Sequence, residues 1–308
     1  MGAAYPVALV GVGKIARDQH IPAIAADRDF ELVAAVSRNA SVEGVANFGD
    51  LDRFLVEGPA AAVALCVPPE ARTAMALKVL AAGRDVLLEK PPAATLGEVE
   101  MMMAAARERG AVLFATWHSR FAPAAAEAKA WLAGRRVRRV SIFWKEDVRR
   151  WHPNQAWIWE PGGFGVFDPG INALSLLTEI LSGPFVVESA RLVVPENREA
   201  PIAADVAMRA ARGYPVRVEL DWRQEGAQSW DIAVETDGGR LELSEGGAAM
   251  RVDGREVARE AEREYPLIYR RFAELLAARE SEVDASPLRI VADAFLVGRR
   301  EGTEAFFD

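Results

Sequence analysis

Five apolar runs up to residue 120, VALVGVG, FELVAAVS, AAVALCVPP, DVLLEKPP and AVLFATWHSR, alternate with the helical patterns KIARDQHIPAIAA, LDRFLVEG, EARTAMALKVLAAG and TLGEVEMMMAAARERG. This alternation constrains the fold more than any other feature. Strands written as continuous Val, Leu and Ala are buried on both faces, which calls for a parallel sheet with helices on each side. The helix ends agree: Gly83 and Gly110 follow helical patterns as C-terminal caps, and Thr95 with Glu98 has capping-box spacing. After APAAAEAKAWLAG the pattern changes to longer strand-like segments, RVRRVSIFWKEDV, FVVESARLVV, PVRVELDW and WDIAVETDGGRLELS, the last with an Asp237-Gly238-Gly239 turn. An antiparallel sheet is expected there. EYPLIYRRFAELLAARE and SPLRIVADAFLVGRR read as amphipathic helices. With 308 residues the chain exceeds the size at which one core divides, so two domains are expected, residues 1–121 and 122–308.

Gly11-Val12-Gly13-Lys14-Ile15-Ala16 lies between the first strand and the first helix. That context suits a dinucleotide fingerprint: a tight turn, a close backbone approach, and amides aimed at a pyrophosphate. Ala16 takes the third small position, which needs only close helix-to-strand packing. The fold class expected is therefore α/β, an N-terminal Rossmann domain followed by a C-terminal α+β domain with an open, mostly antiparallel sheet. A ribose with a free 2′-hydroxyl is normally held by an acid at the end of the second strand, yet that strand ends in Ser37-Arg38. A guanidinium and a hydroxyl suit a 2′-phosphate, so NADP is the expected cofactor. If Arg38 instead stacks on the adenine, NAD is accepted as well. Cys66, Pro68, Pro69 and Glu89 fall at strand ends under the same cleft and are counted with the cofactor positions; Cys66 reads as a small buried filler rather than a catalytic thiol.

Composition excludes several classes. The net charge of −8 disfavours a nucleic-acid partner, and the single basic run, RRVRR at 135–139, reads as a wet strand edge. One cysteine rules out an intrachain disulfide and a Cys-rich zinc site, and no metal is expected. No apolar stretch is long enough to span a bilayer, and the opening MGAAYPVALVGVG lacks the layout of a secretion signal, so a cytoplasmic location and no membrane partner are expected.

The run WKEDVRRWHPNQAWIWEPGG, 144–163, holds four of the eight tryptophans, His152 and an acidic pair. Flat aromatic faces with carboxylate, imidazole and amide groups suit a polyhydroxylated ring. Trp144 continues the alternation of VSIFW and reads as core, while of Trp151, Trp157 and Trp159 one is expected to line a pocket. Glu146 and Asp147 point to opposite faces of a strand, so only one of them faces a site. Asp168, followed by Pro169, reads as the N-cap of GINALSLLTEIL, with Asn172 on the same helix face. Lys90, in Glu89-Lys90-Pro91, lies at the carboxyl end of a parallel strand, where open α/β sheets place ligands.

The GxGxxA turn, the EKP strand end, the tryptophan-rich loop and Asp168-Pro169-Gly170-Ile171-Asn172 together resemble the glucose-fructose oxidoreductase, inositol dehydrogenase and MocA family, over essentially the whole chain. Within it, GKIARDQHIPAI, LLEKPPAATLGE, FATWHSR, WIWEPGG and GVFDPGINALS are similar to bacterial aldose 1-dehydrogenases acting on L-arabinose and D-galactose. The resemblance implies oxidation of a sugar at the anomeric carbon to the lactone, with NADP or NAD as acceptor. It implies Lys90 at the nicotinamide and sugar junction, Asp168 as the acid of the second domain, and Glu146, His152 and Asn172 as ligands of sugar hydroxyls. Trp151 and Trp159 are the loop tryptophans counted with the substrate. His118 and Arg120 fall where members of the family approach the nicotinamide or the substrate. Many members carry histidine at position 172, where this chain has Asn172, and an amide is no base. Proton acceptance is left to Lys90 or Asp168, with Lys90 expected as acceptor and Asp168 as its orienting partner. Another polyol substrate and a non-catalytic NADP-binding sensor are the rival expectations. The resemblance also implies a homodimer through the second-domain sheet.

Overall fold

The glycine turn follows β1 (Tyr5–Val10), whose Val7, Ala8 and Leu9 are fully buried, as a central parallel strand requires. In the computed structural model, which describes residues 4–59, 61–261 and 263–307, the helix after the turn runs as a π-helical segment (Ala16–His20) into α1 (Ile21–Ala26). Then come β2 (Phe30–Val36), β3 (Ala46–Phe48), α2 (Leu51–Glu57), β4 (Ala62–Leu65), α3 (Pro69–Ala81), β5 (Val86–Leu88), α4 (Leu96–Arg109) and β6 (Leu113–Ala115). All of these strands pair in parallel, in the order β3-β2-β1-β4-β5-β6, which is the dinucleotide-binding arrangement. The Thr95 and Glu98 capping box is present at the start of α4, and Gly110 ends that helix at φ 60°. β3 escaped the sequence pattern because its three residues are not buried and carry no apolar run.

Further along the chain come α5 (Ala125–Leu132), β7 (Val137–Lys145), the short α6 (Val148–Trp151), α7 (Phe167–Ile180), β8 (Phe185–Pro195), β9 (Ala203–Ala210), β10 (Pro215–Asp221), β11 (Ser229–Thr236), β12 (Gly239–Ser244), β13 (Ala249–Val252) and β14 (Arg255–Arg259). α8 (Glu264–Ala278), α9 (Ser286–Val297) and β15 (Gly298–Thr303) complete it. The second sheet has the order β14-β13-β12-β11-β7-β10-β9-β8-β15; β7 with β10 and β8 with β15 are parallel, and the other pairs antiparallel. One face buries Val140, Ile142, Val218, Leu220, Ile232 and Val234. α7 lies close to this sheet: a Cβ added at Gly170 would stand 2.5 Å from Leu220 Cδ1. The opposite face carries cross-strand ion pairs such as Arg139 with Glu235 at 2.6 Å and Lys145 with Glu219 at 2.8 Å.

The chain does not divide at 121. One unit is Met1–His118 with Glu264–Ala285, the other Ser119–Arg263 with Ser286–Asp308. The reason is α8, whose Tyr269 and Phe272 pack on Phe30 with ring centroids 5.2 and 5.7 Å apart, and whose Phe272 also meets Phe114 at 6.1 Å. SPLRIVADAFLVGRR is helical only to Val297; the chain turns into β15 at Gly298, where a Cβ would lie 2.3 Å from the Ala294 carbonyl oxygen, so only glycine fits the close approach. Among the described residues no helix is long and apolar enough to cross a membrane.

Candidate active site

Parallel strands end on one edge, so the sheet order brings the ends of β1, β2, β4 and β5 to a common rim in the first unit. Gly11 has φ +90°, and a Cβ there would lie 2.8 Å from Val67 Cγ1 and 3.0 Å from the Cys66 carbonyl. Its N–H donates to the Val36 carbonyl at 2.9 Å. Gly13 differs: a Cβ there would meet nothing within 4 Å. Gly11 is therefore required by the protein's own packing, whereas Gly13 keeps clear a space that the fold itself does not fill. Lys14 is exposed and pairs with Asp18, and Ile15 lies half-buried beside it at the helix start. At the end of β2 the Ser37 N–H donates to Phe48 O at 3.0 Å, and the Arg38 side chain stands exposed. These residues fit the pyrophosphate and adenosine end of a dinucleotide. Cys66 is half-buried at the end of β4; Pro68 is exposed and Pro69 is buried as the first residue of α3.

Glu89 is not a free carboxylate on this rim. It is buried, and its Oε1 accepts from Tyr265 Oη–H at 2.8 Å and lies 2.9 Å from His20 Nε2, while its Oε2 accepts the Lys90 N–H at 3.1 Å. Burial alone would raise the Glu89 pKa, but the hydrogen bond and charge of His20, with His118 and Tyr265, bring it down to about 2. His20 is driven the opposite way: burial opposes its charge, yet Cys66, Tyr269 and Glu89 together hold its pKa well above the ordinary value. The buried Arg72 guanidinium donates to Glu89 O at 2.6 Å and also to the carbonyls of Pro91 and Val67, tying together the loops after β4 and β5. The Lys90–Pro91 peptide is cis, and Lys90 is half-buried. His118 Nδ1 lies 2.5 Å from Glu264 Oε2; burial works against its charge, but the Glu264 carboxylate raises its pKa overall, with Lys90 opposing.

In the second unit the tryptophan loop and the start of α7 converge. Glu146 follows β7 directly and is 5% exposed. Its Oε2 accepts Trp230 Nε1–H at 2.9 Å; its Oε1 is buried, with no hydrogen bond among the described residues, 3.4 Å from His152 Nε2. His152 Nδ1 stands 3.8 Å from Asp168 Oδ2 and 3.5 Å from Gln155 Oε1. The Trp222 ring centroid is 5.3 Å from that of His152, and Trp222 Nε1 is a second buried polar atom with no hydrogen-bond partner among the described residues. A buried polar atom left without a hydrogen bond costs about 1–3 kcal/mol. Asp147 turns away and caps α6, accepting the Arg149 N–H at 3.0 Å.

Glu146, His152 and Asp168 thus come together, with the half-buried Asn172 one turn along α7 from Asp168. Asp168 is not the N-cap: α7 begins at Phe167 with Val166 in that position, so Asp168 lies buried in the first turn. Trp144 is buried as core. Trp159 is 3% exposed and packs on Trp222 at 5.0 Å, a buttress rather than an open surface, whereas Trp151 is 36% exposed and meets Trp230 edge-on at 5.2 Å. Arg120 donates to Ser175 O at 3.3 Å and Thr178 Oγ1 at 2.9 Å, anchoring it to α7. Sequence reasoning missed Trp222 and Trp230. They sit some 70 residues beyond the loop, and only the pairing of β7 with β11 and β10 brings them back to it. It also missed His20, Arg72 and Tyr265, which fix Glu89 and so the backbone at Lys90.

A glycine turn open on one side, on a parallel sheet of this order, with a buried cluster of Glu146, His152 and Asp168 in a second unit, fits a dinucleotide-dependent oxidoreductase. The chain belongs to the oxidoreductase family with the NAD-binding Rossmann fold, whose pattern matches residues 5–116. It is 47% identical to galactose 1-dehydrogenase of Pseudomonas fluorescens over 301 residues, covering 97% of this chain and 98% of that one. The crystal structure of D-galactose-1-dehydrogenase from Rhizobium etli superimposes with a TM-score of 0.96 at 55% identity, over 100% of this chain and 99% of that one. The WlbA dehydrogenase of Bordetella pertussis, in complex with NADH and UDP-GlcNAcA, matches with a TM-score of 0.80 at 25% identity, over 96% of this chain and 95% of that one.

Proposed function

We propose that the protein is an aldose 1-dehydrogenase that oxidises D-galactose, and L-arabinose as its shorter homologue, at the anomeric carbon to the lactone, with NADP preferred and NAD also used. The observation that carries this reading is the buried cluster of Glu146, His152 and Asp168 packed against Trp222, in which Glu146 Oε1 and Trp222 Nε1 have no hydrogen-bond partner among the described residues. The identity of 47% with a galactose 1-dehydrogenase over nearly the whole chain supports the choice of sugar. D-galactose and L-arabinose share ring stereochemistry and differ by an exocyclic hydroxymethyl group, so one set of hydroxyl ligands serves both.

A dinucleotide held by the turn from Gly11 to Ala16 with Ser37 and Arg38 would supply the acceptor for the hydride of the anomeric carbon. The chain's own residues orient the sugar and move one proton. Glu146 and His152 hold ring hydroxyls, with Asn172 offering an amide donor and acceptor on the helix that carries Asp168. The exposed face of Trp151 packs against the apolar side of the ring. Lys90 accepts the anomeric hydroxyl proton, directly or through a water, and Asp168 orients that proton's path. Glu89, fixed by His20, Tyr265 and Arg72, holds the Lys90 backbone in place.

Initial rates followed at the absorbance of reduced nicotinamide, with D-galactose, L-arabinose, D-glucose and myo-inositol and with both cofactors, test the proposal. Turnover of galactose and arabinose well above glucose and inositol is expected. Reduction with inositol alone would assign a polyol dehydrogenase, and no reduction with any of them a sensor.

A further inference from the structure

The Glu146 cluster lies past the C-terminal end of β7. Past its other end, at least about 25 Å away along the strand, a groove of about 1220 Å³ opens in the second unit. The topology assembles it. Thr236 pairs with Val137 and Val216 with Val140, so the turn carrying Asp237 and the turn carrying Arg212 and Tyr214 flank the start of β7. The C-terminal ends of α5 and α7 close the remaining sides.

Five cationic side chains, Lys129, Arg135, Arg136, Arg138 and Arg212, line the groove against one carboxylate, Asp237. The fold uses two of them. Lys129 pairs with Glu179 at 2.7 Å, and Arg135 donates to the Trp131 carbonyl while lying 4.1 Å over its ring. Arg136, Arg138 and Arg212 are exposed, and among the described residues their side chains make no hydrogen bond or ion pair. Tyr214 is 6% exposed, yet among the described residues its hydroxyl has no hydrogen-bond partner in the groove it lines. Burial raises the Tyr214 pKa, against the opposing charge of Arg212, so the hydroxyl stays protonated and able to donate. This concentration of positive charge occurs on a chain of net charge −8, so overall composition does not account for it. The helix ends oppose an anion with about half a charge each, and with Asp237 they do not cancel the cations.

We propose that this groove binds a small, multiply charged anion carrying a di- or polyphosphate, gripped by Arg136, Arg138 and Arg212 with the Tyr214 hydroxyl as a further donor. Guanidinium forks match phosphate oxygens in geometry as well as charge. The free arginines face one groove rather than a stripe, which favours a compact ligand over nucleic acid.

The test uses the whole chain saturated with NADP and NAD, so that the dinucleotide seat is filled, with inorganic pyrophosphate and tripolyphosphate as probes in 0.15 M salt. Calorimetric binding and a rise in Tm of about 2 °C or more are expected. The Arg136→Ser/Arg138→Ser/Arg212→Ser variant is expected to keep its ligand-free Tm and to bind at least about tenfold more weakly, and Tyr214→Phe about two- to tenfold more weakly. A Tm rise no larger than that of sodium chloride at equal ionic strength would overturn the proposal. So would a rise that survives in the triple variant, or binding of a single-stranded oligonucleotide with both phosphates inert.

Discussion

His20 Nε2 lies 2.9 Å from Glu89 Oε1 in a fully buried pair, and the other oxygen of the same carboxylate holds the Lys90 N–H at 3.1 Å. A charged pair is thereby built into the backbone that carries the lysine. The Glu89 pKa falls from 4.5 to about 2 on folding, so its contribution is present above 4.5 and lost as pH falls toward 2. The His20 pKa is raised, so its contribution is full below 6.5 and lost as pH rises through its folded value. Both are full only between 4.5 and 6.5. Glu89→Gln is expected to lose about 3 kcal/mol by urea unfolding at pH 6, a deficit that shrinks as pH falls from 4.5 toward 2. A deficit unchanged at pH 3 would mean that the pair is neutral.

The two glycines of the turn separate fold from function. Gly11→Ala meets Val67 at 2.8 Å at φ +90° and is expected to destabilise the protein by about 1–3 kcal/mol. Gly13→Ala meets nothing and is expected to leave Tm within about 2 °C while weakening dinucleotide affinity at least about tenfold, because its methyl takes the space a pyrophosphate needs. Fluorescence titration with unfolding measurements on both variants decides it. Unchanged affinity in Gly13→Ala would place the pyrophosphate elsewhere.

How much of this was legible in the sequence depended on whether an element announces itself locally. The buried parallel strands did, because Val, Leu and Ala runs have no other use; β9, AADVAMRA, did not, because its alanines do not distinguish a strand from a helix, although five of its eight residues are buried. α8 was legible as an amphipathic helix, but an apolar face does not say what it faces, and its return to the first unit follows only from Tyr269 and Phe272 meeting Phe30. In the candidate site, Glu146, His152 and Asp168 were named from a local cluster and a resemblance. Trp222 and Trp230 come from other strands and leave no signal in the loop itself.

Arg38 stands exposed at the end of β2, without a carboxylate at the adjoining Ser37. Arg38→Ala is expected to lower kcat/KM for NADP by about 10- to 100-fold and to change that for NAD far less, since only NADP loses a charge-assisted bond of about 1.5–3 kcal/mol. Equal losses with the two cofactors would mean that the guanidinium stacks on the adenine.

Glu146 and His152 lie wholly within the second unit and lean on Trp230 and Trp222. Glu146→Gln and His152→Ala are each expected to cut kcat/KM for galactose by about tenfold or more with dinucleotide affinity nearly intact, because the first weakens and the second removes a hydrogen bond to a sugar hydroxyl. Glu146→Gln is also expected to keep the fold, since the amide oxygen still accepts from Trp230. Comparable losses of dinucleotide affinity would withdraw both residues from the sugar.

The proton acceptor is the sharper question. Asn172 has no useful basicity, and Lys90 is proposed to take the proton with Asp168 as its orienting partner. Asp168 sits buried in the first turn of α7, 3.8 Å from His152 Nδ1, a place from which it can orient a hydrogen bond. Lys90 follows a strand end whose backbone is fixed by the Glu89 and Arg72 network, a rigid mount for the proposed proton acceptor. Lys90→Ala is therefore expected to lose at least about 10²-fold in kcat and to be partly rescued by small primary amines, which supply the missing base from solution. Asp168→Asn keeps the shape and a hydrogen-bonding oxygen, and a lower but measurable rate is expected, with no response to amines. If Asp168→Asn proves the less active enzyme, and Lys90→Ala shows no rescue at any amine concentration, the two roles must be exchanged.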